Sequence, residues 1–188
     1  MSKVVFSVVT PIIFAAALAT TPVQAAGDQS QAEIVQYLKD RADIEELISG
    51  YLTSLDTGDY ERYTAMFTPD GVLTFGGNTY HGRDEIRAIM KKALRGPGAP
   101  TTDANGKPLP KLRHMAAGFD IQISGNTAKS RGTWATISIG RENYPTIGGM
   151  GYYDDHYVKQ DGKWYFTTRE LVVELAGPPR SQSTSASK

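Results

Sequence analysis

Residues 151–174 read GYYDDHYVKQDGKWYFTTRELVVE, and this stretch decides the fold. Successive side chains of a strand point to opposite faces, so Gly151, Tyr153, Asp155 and Tyr157 share one face. Gln160-Asp161-Gly162 is hairpin chemistry. Strands are therefore predicted from Gly148 to Lys159 and from Lys163 to Glu174. The segments just upstream have the same character. Met115 to Ser124 reads as a strand, and Asn126 to Ile139 as the next, entered through a Gly125-Asn126 turn. Everything after Leu112 reads as antiparallel sheet.

Further upstream the period changes. Ile34, Leu38, Ile44, Leu47, Ile48 and Leu52 recur at helical spacing, which predicts a helix from Ala32 to about Leu55. Asp56-Thr57-Gly58-Asp59 ends it, with Gly58 suited to a left-handed cap. Tyr60 to Phe67 is a second, short helix, in which Tyr63 and Phe67 pack between helices. Thr68-Pro69-Asp70-Gly71 has turn composition. Val72 to Phe75 is a strand, Gly76-Gly77-Asn78 a hairpin turn, and Arg83 to Leu94 a third helix. Helices segregated from an antiparallel sheet make an α+β domain. A strongly curved sheet wrapped round a long helix leaves a cavity between them.

Composition narrows the function. The chain has 188 residues, enough for one domain with a core. Lys+Arg and Asp+Glu both number 20, so there is no basic footprint for nucleic acid and no electrostatic pull to a membrane. With no cysteine there is no disulfide framework, thiol nucleophile or zinc ribbon. Lys3, the apolar run Val4 to Leu18 and the small-residue site Val23-Gln24-Ala25 predict a secretory signal peptide over residues 1–26, and hence a periplasmic or secreted protein. The folded domain is expected over 32–176. The Gly- and Pro-rich stretch Arg95 to Lys111 is either a binding loop or a solvated insertion. The Pro-, Ser- and Thr-rich tail 177–188 is expected to be disordered.

An ordered set of fragments carries a family likeness. It comprises Arg41-Ala42-Asp43-Ile44-Glu45-Glu46-Leu47, Tyr51, Leu55 to Asp59, Phe67 to Gly71, His81 to Ile86, Arg113-His114-Met115, Gly151 to Tyr157, Asp161 to Trp164 and Arg169. The set resembles the SnoaL-like proteins of the nuclear transport factor 2-like superfamily and covers nearly all of the chain after the signal segment except the tail. That resemblance implies a cone-shaped α+β roll with a pocket at its open end. The superfamily includes ketosteroid isomerase, scytalone dehydratase, limonene epoxide hydrolase, polyketide cyclases and hexachlorocyclohexane dehydrochlorinase, as well as members without catalysis, so fold alone does not decide function.

The pattern most similar to this chain is that of the scytalone dehydratase and dehydrochlorinase type, which abstract a proton from carbon with a His–Asp pair. The resemblance places Asp56 and His114 in those roles. It also matches Arg169 to an arginine that follows the tryptophan of the last hairpin. Where the dehydrochlorinase has a lysine before the aspartate, this chain has Tyr51; a tyrosine hydroxyl suits a carbonyl or hydroxyl substrate rather than a leaving halide. An imidazole titrates near neutral pH and can take and return a proton, and a carboxylate on its other nitrogen fixes the tautomer. Tyr51 would donate to a substrate oxygen and Arg169 would hold negative charge. Asp155, or Asp56 itself, is the alternative partner of Arg169, since buried charges need one. Tyr153, Asp155, Trp134, Val172 and Val173 are candidate pocket residues. His81 is read as structural or exposed and His156 as pointing outward, and Asp154 with His156 are too few ligands to specify a metal.

The expectation is thus an enzyme without metal or other cofactor. It acts on a small apolar or hydroxylated ring compound as a dehydratase, isomerase or cyclase. The alternative is a non-catalytic binding or dimerisation module of the same fold. The resemblance also implies a homodimer or homotrimer.

Overall fold

The computed structural model describes residues 30–94, 112–139 and 144–176. The predicted signal segment, the stretch Arg95 to Lys111 and the tail from Gly177 lie outside the described residues. No helix among the described residues is long and apolar enough to cross a membrane.

Helix α1 runs Gln31–Thr57. Ser30 and Glu33 form a reciprocal capping box at its start, and Gly58, at φ 74°, closes it in the left-handed conformation. Its inner face buries Ile44, Ile48 and Tyr51. The expected apolar stripe does not extend to the first turns: Ile34 and Leu38 are 44% and 57% exposed. The helix begins outside the body of the domain, and Asp40 is its first buried residue. There the Asp40 carboxylate takes the Lys159 ammonium at 2.6 Å, and the Trp164 indole N–H and the Gln36 amide each donate to it at 3.0 Å. This buried charge is therefore paired and hydrogen-bonded, as burial demands.

Helix α2 (Tyr60–Ala65) is capped by the Asp59 side chain. It is shorter than the sequence suggests, because Phe67 already belongs to strand β1 (Phe67–Phe75). The expected turn Thr68 to Gly71 is absorbed into β1 as an irregularity, where the pairing register with the last strand jumps between Phe67 and Val72. Pro69 has no N–H to give to a ladder, which accounts for the break. Strand β2 (Asn78–His81) returns antiparallel to β1. Helix α3 (Gly82–Ala93) follows and buries Ile86 and Met90.

Four long strands complete the domain: β3 (Arg113–Ser124), β4 (Thr127–Ile139), β5 (Pro145–Gln160) and β6 (Lys163–Ala176). The Asp161-Gly162 turn has φ of 50° and 77°, the positive values that a tight hairpin requires. The sheet order is β2-β1-β6-β5-β4-β3. All neighbours are antiparallel except β1 and β6, which are parallel, so the sheet is mixed. Its inner face alternates as the sequence predicts: Gly151, Tyr153, Asp155 and Tyr157 are all buried. The α+β architecture, with helices on one side of a curved, unclosed sheet, is the one expected. An aromatic cluster of Phe67, Phe166, Tyr51, Tyr63 and Tyr157 joins α1 and α2 to the sheet and forms the closed end of the core.

Candidate active site

Asp56 lies in the last turn of α1, and His114 is the second residue of β3. One of the Asp56 oxygens, Oδ1, accepts the backbone N–H of His114 at 3.0 Å and lies 2.9 Å from the ring Nδ1. The other, Oδ2, accepts from Arg113 Nη1 at 3.1 Å. The Asp56 and His114 side chains are only 18% and 16% exposed, while Arg113 reaches out to solvent. With Nδ1 donating to Asp56, the lone pair sits on Nε2.

His114 is part of the wall of a cavity of about 390 Å³ between the helices and the sheet. Tyr51 and Leu55 of α1, Tyr63 of α2, Met90 and Ala93 of α3 and Leu94 just after it make the helical side. Trp134 and Thr136 of β4, Gly148 and Gly149 of β5, and Leu171 and Val173 of β6 make the sheet side. A largely apolar wall with a few polar groups is the usual make-up of a small-molecule site. The hydroxyls belong to Tyr51, Tyr63 and Thr136. Tyr63 donates to the Tyr51 oxygen at 3.0 Å, which leaves the Tyr51 proton free to bond elsewhere. Burial pushes both phenols well above their ordinary pKa, against the opposing pull of the Arg169 charge, so both hydroxyls stay protonated.

Arg169 is not in the cavity wall. It is fully buried behind Tyr51, its guanidinium carbon 3.8 Å from the Tyr51 ring centre and 3.7 Å from that of Tyr153. Its Nε is 3.6 Å from Asp155 Oδ1, an ion pair beyond hydrogen-bond length. Burial works against the charge, yet Asp155 and the surrounding tyrosines raise its pKa above the ordinary value. Burial raises the Asp155 carboxyl, offset in part by Arg169 and by the Tyr157 hydroxyl, which donates to Oδ2 at 3.0 Å. The Arg169–Asp155 ion pair and the Tyr153 ring thus lie beneath the cavity, and none of the three expected contact residues is in its wall.

The remaining predicted residues divide in the same way. Tyr51, Trp134 and Val173 line the cavity; Val172, one residue along the strand, does not. Adjacent strand residues face opposite ways, so only one of the two valines could. Asp56 stands behind His114, outside the wall. Tyr63, read from sequence as helix packing, does pack on Tyr51 of α1 and is also a wall residue, and Arg113, which the sequence reading gave no role, holds the second oxygen of Asp56. His81 precedes the first residue of α3 without a side-chain bond to the helix, and both it and His156 are exposed. Asp154 pairs with Arg131. Among the described residues no group of three His, Asp or Glu side chains could hold a metal.

The chain matches the SnoaL-like domain over residues 36–170. It is 24% identical over 148 residues to the uncharacterized protein Rv2910c of Mycobacterium tuberculosis, a match covering 76% of this chain and 90% of the relative. Among solved structures, a putative scytalone dehydratase from Novosphingobium aromaticivorans superposes with a TM-score of 0.60 at 23% identity, over 80% of this chain and 99% of that one. A hexachlorocyclohexane dehydrochlorinase superposes with a TM-score of 0.62 at 19% identity, over 79% of this chain and 95% of that one. At these identities the structural likenesses speak for the fold. The match across most of the chain shows that it belongs to the SnoaL-like family.

Proposed function

We propose that this protein is a lyase- or isomerase-type enzyme that needs no cofactor and takes a proton from carbon in a small, mostly apolar ring compound. The observation that carries this reading is the 2.9 Å contact of Asp56 Oδ1 with His114 Nδ1, which leaves Nε2 as a base for the apolar cavity. The names of the dehydratase and dehydrochlorinase among the structural neighbours are compatible with it.

The chemistry follows from the residues. His114 Nε2 takes the proton, and Asp56 stabilises the imidazolium that forms. The C–H electron pair moves onto a neighbouring carbonyl oxygen, giving an enolate that is reprotonated in isomerisation. In dehydration the pair forms a new double bond, and a hydroxyl leaves as water with the proton that His114 returns. The Tyr51 hydroxyl, already accepting from Tyr63, donates to the developing oxyanion. Arg169 acts from behind the Tyr51 ring, through its charge, without touching substrate.

Deuterium uptake from D2O into ring ketones and β-hydroxy ketones, such as 2-tetralone, tests the reading. The expected result is exchange with the wild type that falls by roughly 10²–10⁴-fold in His114→Ala. Equal exchange by the two proteins contradicts an enzymatic role for His114 and leaves a binding protein.

A further inference from the structure

His114 of β3 and Thr136 of β4 stand directly opposite each other in their antiparallel pair. Opposite residues in such a pair alternate between exchanging both backbone hydrogen bonds and exchanging none. The His114 N–H is given to Asp56, and β3 is the last strand of the sheet order, so this N–H points off the sheet edge and away from β4. The His114–Thr136 pair is therefore of the second kind, in which the Cα atoms are about 4.5 Å apart and the side chains approach most closely. Both residues line the cavity, so the strand pairing sets the Thr136 hydroxyl next to the imidazole.

That hydroxyl is left bare by a bulge in the neighbouring strand. Thr136 pairs with Gly149 and Ile137 with Ile147, so Gly148 is an extra residue of β5. A Cβ on Gly148 would come 3.0 Å from the Thr136 hydroxyl oxygen, so any other residue there would crowd it. Gly148 has no positive φ, and its backbone does not itself require glycine. What the glycine provides is open space over the hydroxyl.

The other polar side chains of the wall are engaged or lie on the helical side. The Trp134 indole N–H donates to the Val172 and Tyr152 carbonyl oxygens at 3.1 and 3.2 Å. Tyr51 and Tyr63 come from the helices and are bonded to each other. Among the described lining residues none is Asp, Glu, Lys or Arg. A ligand in the cavity therefore meets the imidazole and the Thr136 hydroxyl together on the sheet side, and the Tyr51 hydroxyl on the helical side.

We propose that Thr136 holds the departing hydroxyl of the substrate, and that this residue directs the site to elimination of water rather than isomerisation. Two polar groups side by side suit two adjacent carbons, one giving up a proton and the other an oxygen. His114 Nε2 takes the proton from the carbon beside the carbonyl, and the C–H electron pair becomes the new double bond. The C–O bond of the next carbon breaks, and its oxygen keeps that bond's pair. The oxygen takes the proton that the imidazolium returns and leaves as water. Thr136 donates a hydrogen bond to this oxygen while charge builds on it and exchanges no proton itself. The inference rests on the reading of His114 as the base and adds which of its two outcomes the wall favours.

The test uses two probes that differ by one hydroxyl, cyclohexanone and 3-hydroxycyclohexanone. Deuterium uptake from D2O by the first reads proton abstraction, and enone formation from the second reads elimination. The deciding quantity is the ratio of elimination to uptake. Thr136→Val is expected to lower this ratio by about tenfold to 10²-fold, the worth of a hydrogen bond to an atom that takes on charge. Thr136→Ser keeps the hydroxyl and should lower it by about threefold or less. An unchanged ratio in Thr136→Val overturns the proposal, whatever happens to the two rates separately. A wild type that takes up deuterium but forms no enone also overturns it, and leaves His114 as a base. A wild type that does neither contradicts the proton-transfer reading itself. Should Thr136→Val not fold, Gly148→Ala takes its place. Its methyl group covers the hydroxyl and should lower the ratio in the same direction, and an unchanged ratio there overturns the proposal.

Discussion

A single oxygen of Asp56 holds His114 twice, accepting its backbone N–H at 3.0 Å and lying 2.9 Å from its ring Nδ1, across 58 residues of sequence. The first bond fixes the start of β3 against the end of α1, and the second fixes the ring. Position and tautomer of the imidazole are therefore set by the same atom.

Asp56→Asn should separate the two functions. An amide oxygen can still accept the backbone N–H, but it no longer supports an imidazolium. Turnover is expected to fall by about 10⁴-fold, as when a triad carboxylate becomes an amide. Stability should change by only about 1–3 kcal/mol, the cost of weakened bonds to a charged acceptor. Exchange kinetics beside urea melts will show whether activity falls far more than stability.

Tyr51→Phe removes the hydroxyl that faces the cavity, and Tyr63→Phe removes only its donor. If Tyr51 steadies a developing oxyanion, its loss costs roughly 10²–10³-fold in kcat. Tyr63→Phe should cost less, since Tyr51 keeps its own proton. Equal effects of the two variants in kcat would argue that the pair is packing alone.

Arg169 and Asp155 are both fully buried, so each depends on the other. Arg169→Met leaves a buried carboxylate unpaired and is expected to destabilise the fold by about 3–5 kcal/mol. The double variant Arg169→Met with Asp155→Leu should recover much of that loss, because no uncompensated charge remains. Urea denaturation of the wild type, the two single variants and the double variant measures the coupling.

Asp40 gives the fold a dependence on acid. Burial works to raise its carboxyl, but Lys159, Gln36 and Trp164 outweigh it and hold the pKa below the ordinary 3.8. A lowered folded value means stabilisation that is present above pH 3.8 and lost as pH falls through the folded value. Asp40→Asn is therefore expected to be less stable near neutral pH, with a shallower loss of stability below pH 4. Chemical melts across pH 2–7, read by Trp164 emission, check the sign.

Much of the fold could be read in the sequence because local chemistry is strong there. Asp161-Gly162 fixes one hairpin, and the alternation from Gly151 to Tyr157 gives the inner face of β5. Asp56 and His114 could be named because a family pattern supplied the pairing that spacing alone does not. The family pattern pointed to Arg169 but carries no information on its depth. Arg169 shares the inner side of β6 with Leu171 and Val173, yet Tyr51 and Tyr153 close over it. Tyr63 and Arg113 carry no local signal at all; their roles arise only when α2 meets α1 and when β3 meets the end of α1.

The central claim is that Asp56 presents His114 Nε2 to the cavity as a base. Long-range proton–nitrogen NMR on the neutral imidazole reads this directly, with His114→Ala assigning the signal against His81 and His156. The account predicts a proton on Nδ1 and a bare Nε2 in the wild type, with the preference weakened or reversed in Asp56→Asn. A wild-type ring carrying its proton on Nε2 would contradict it, because no base would then face the cavity.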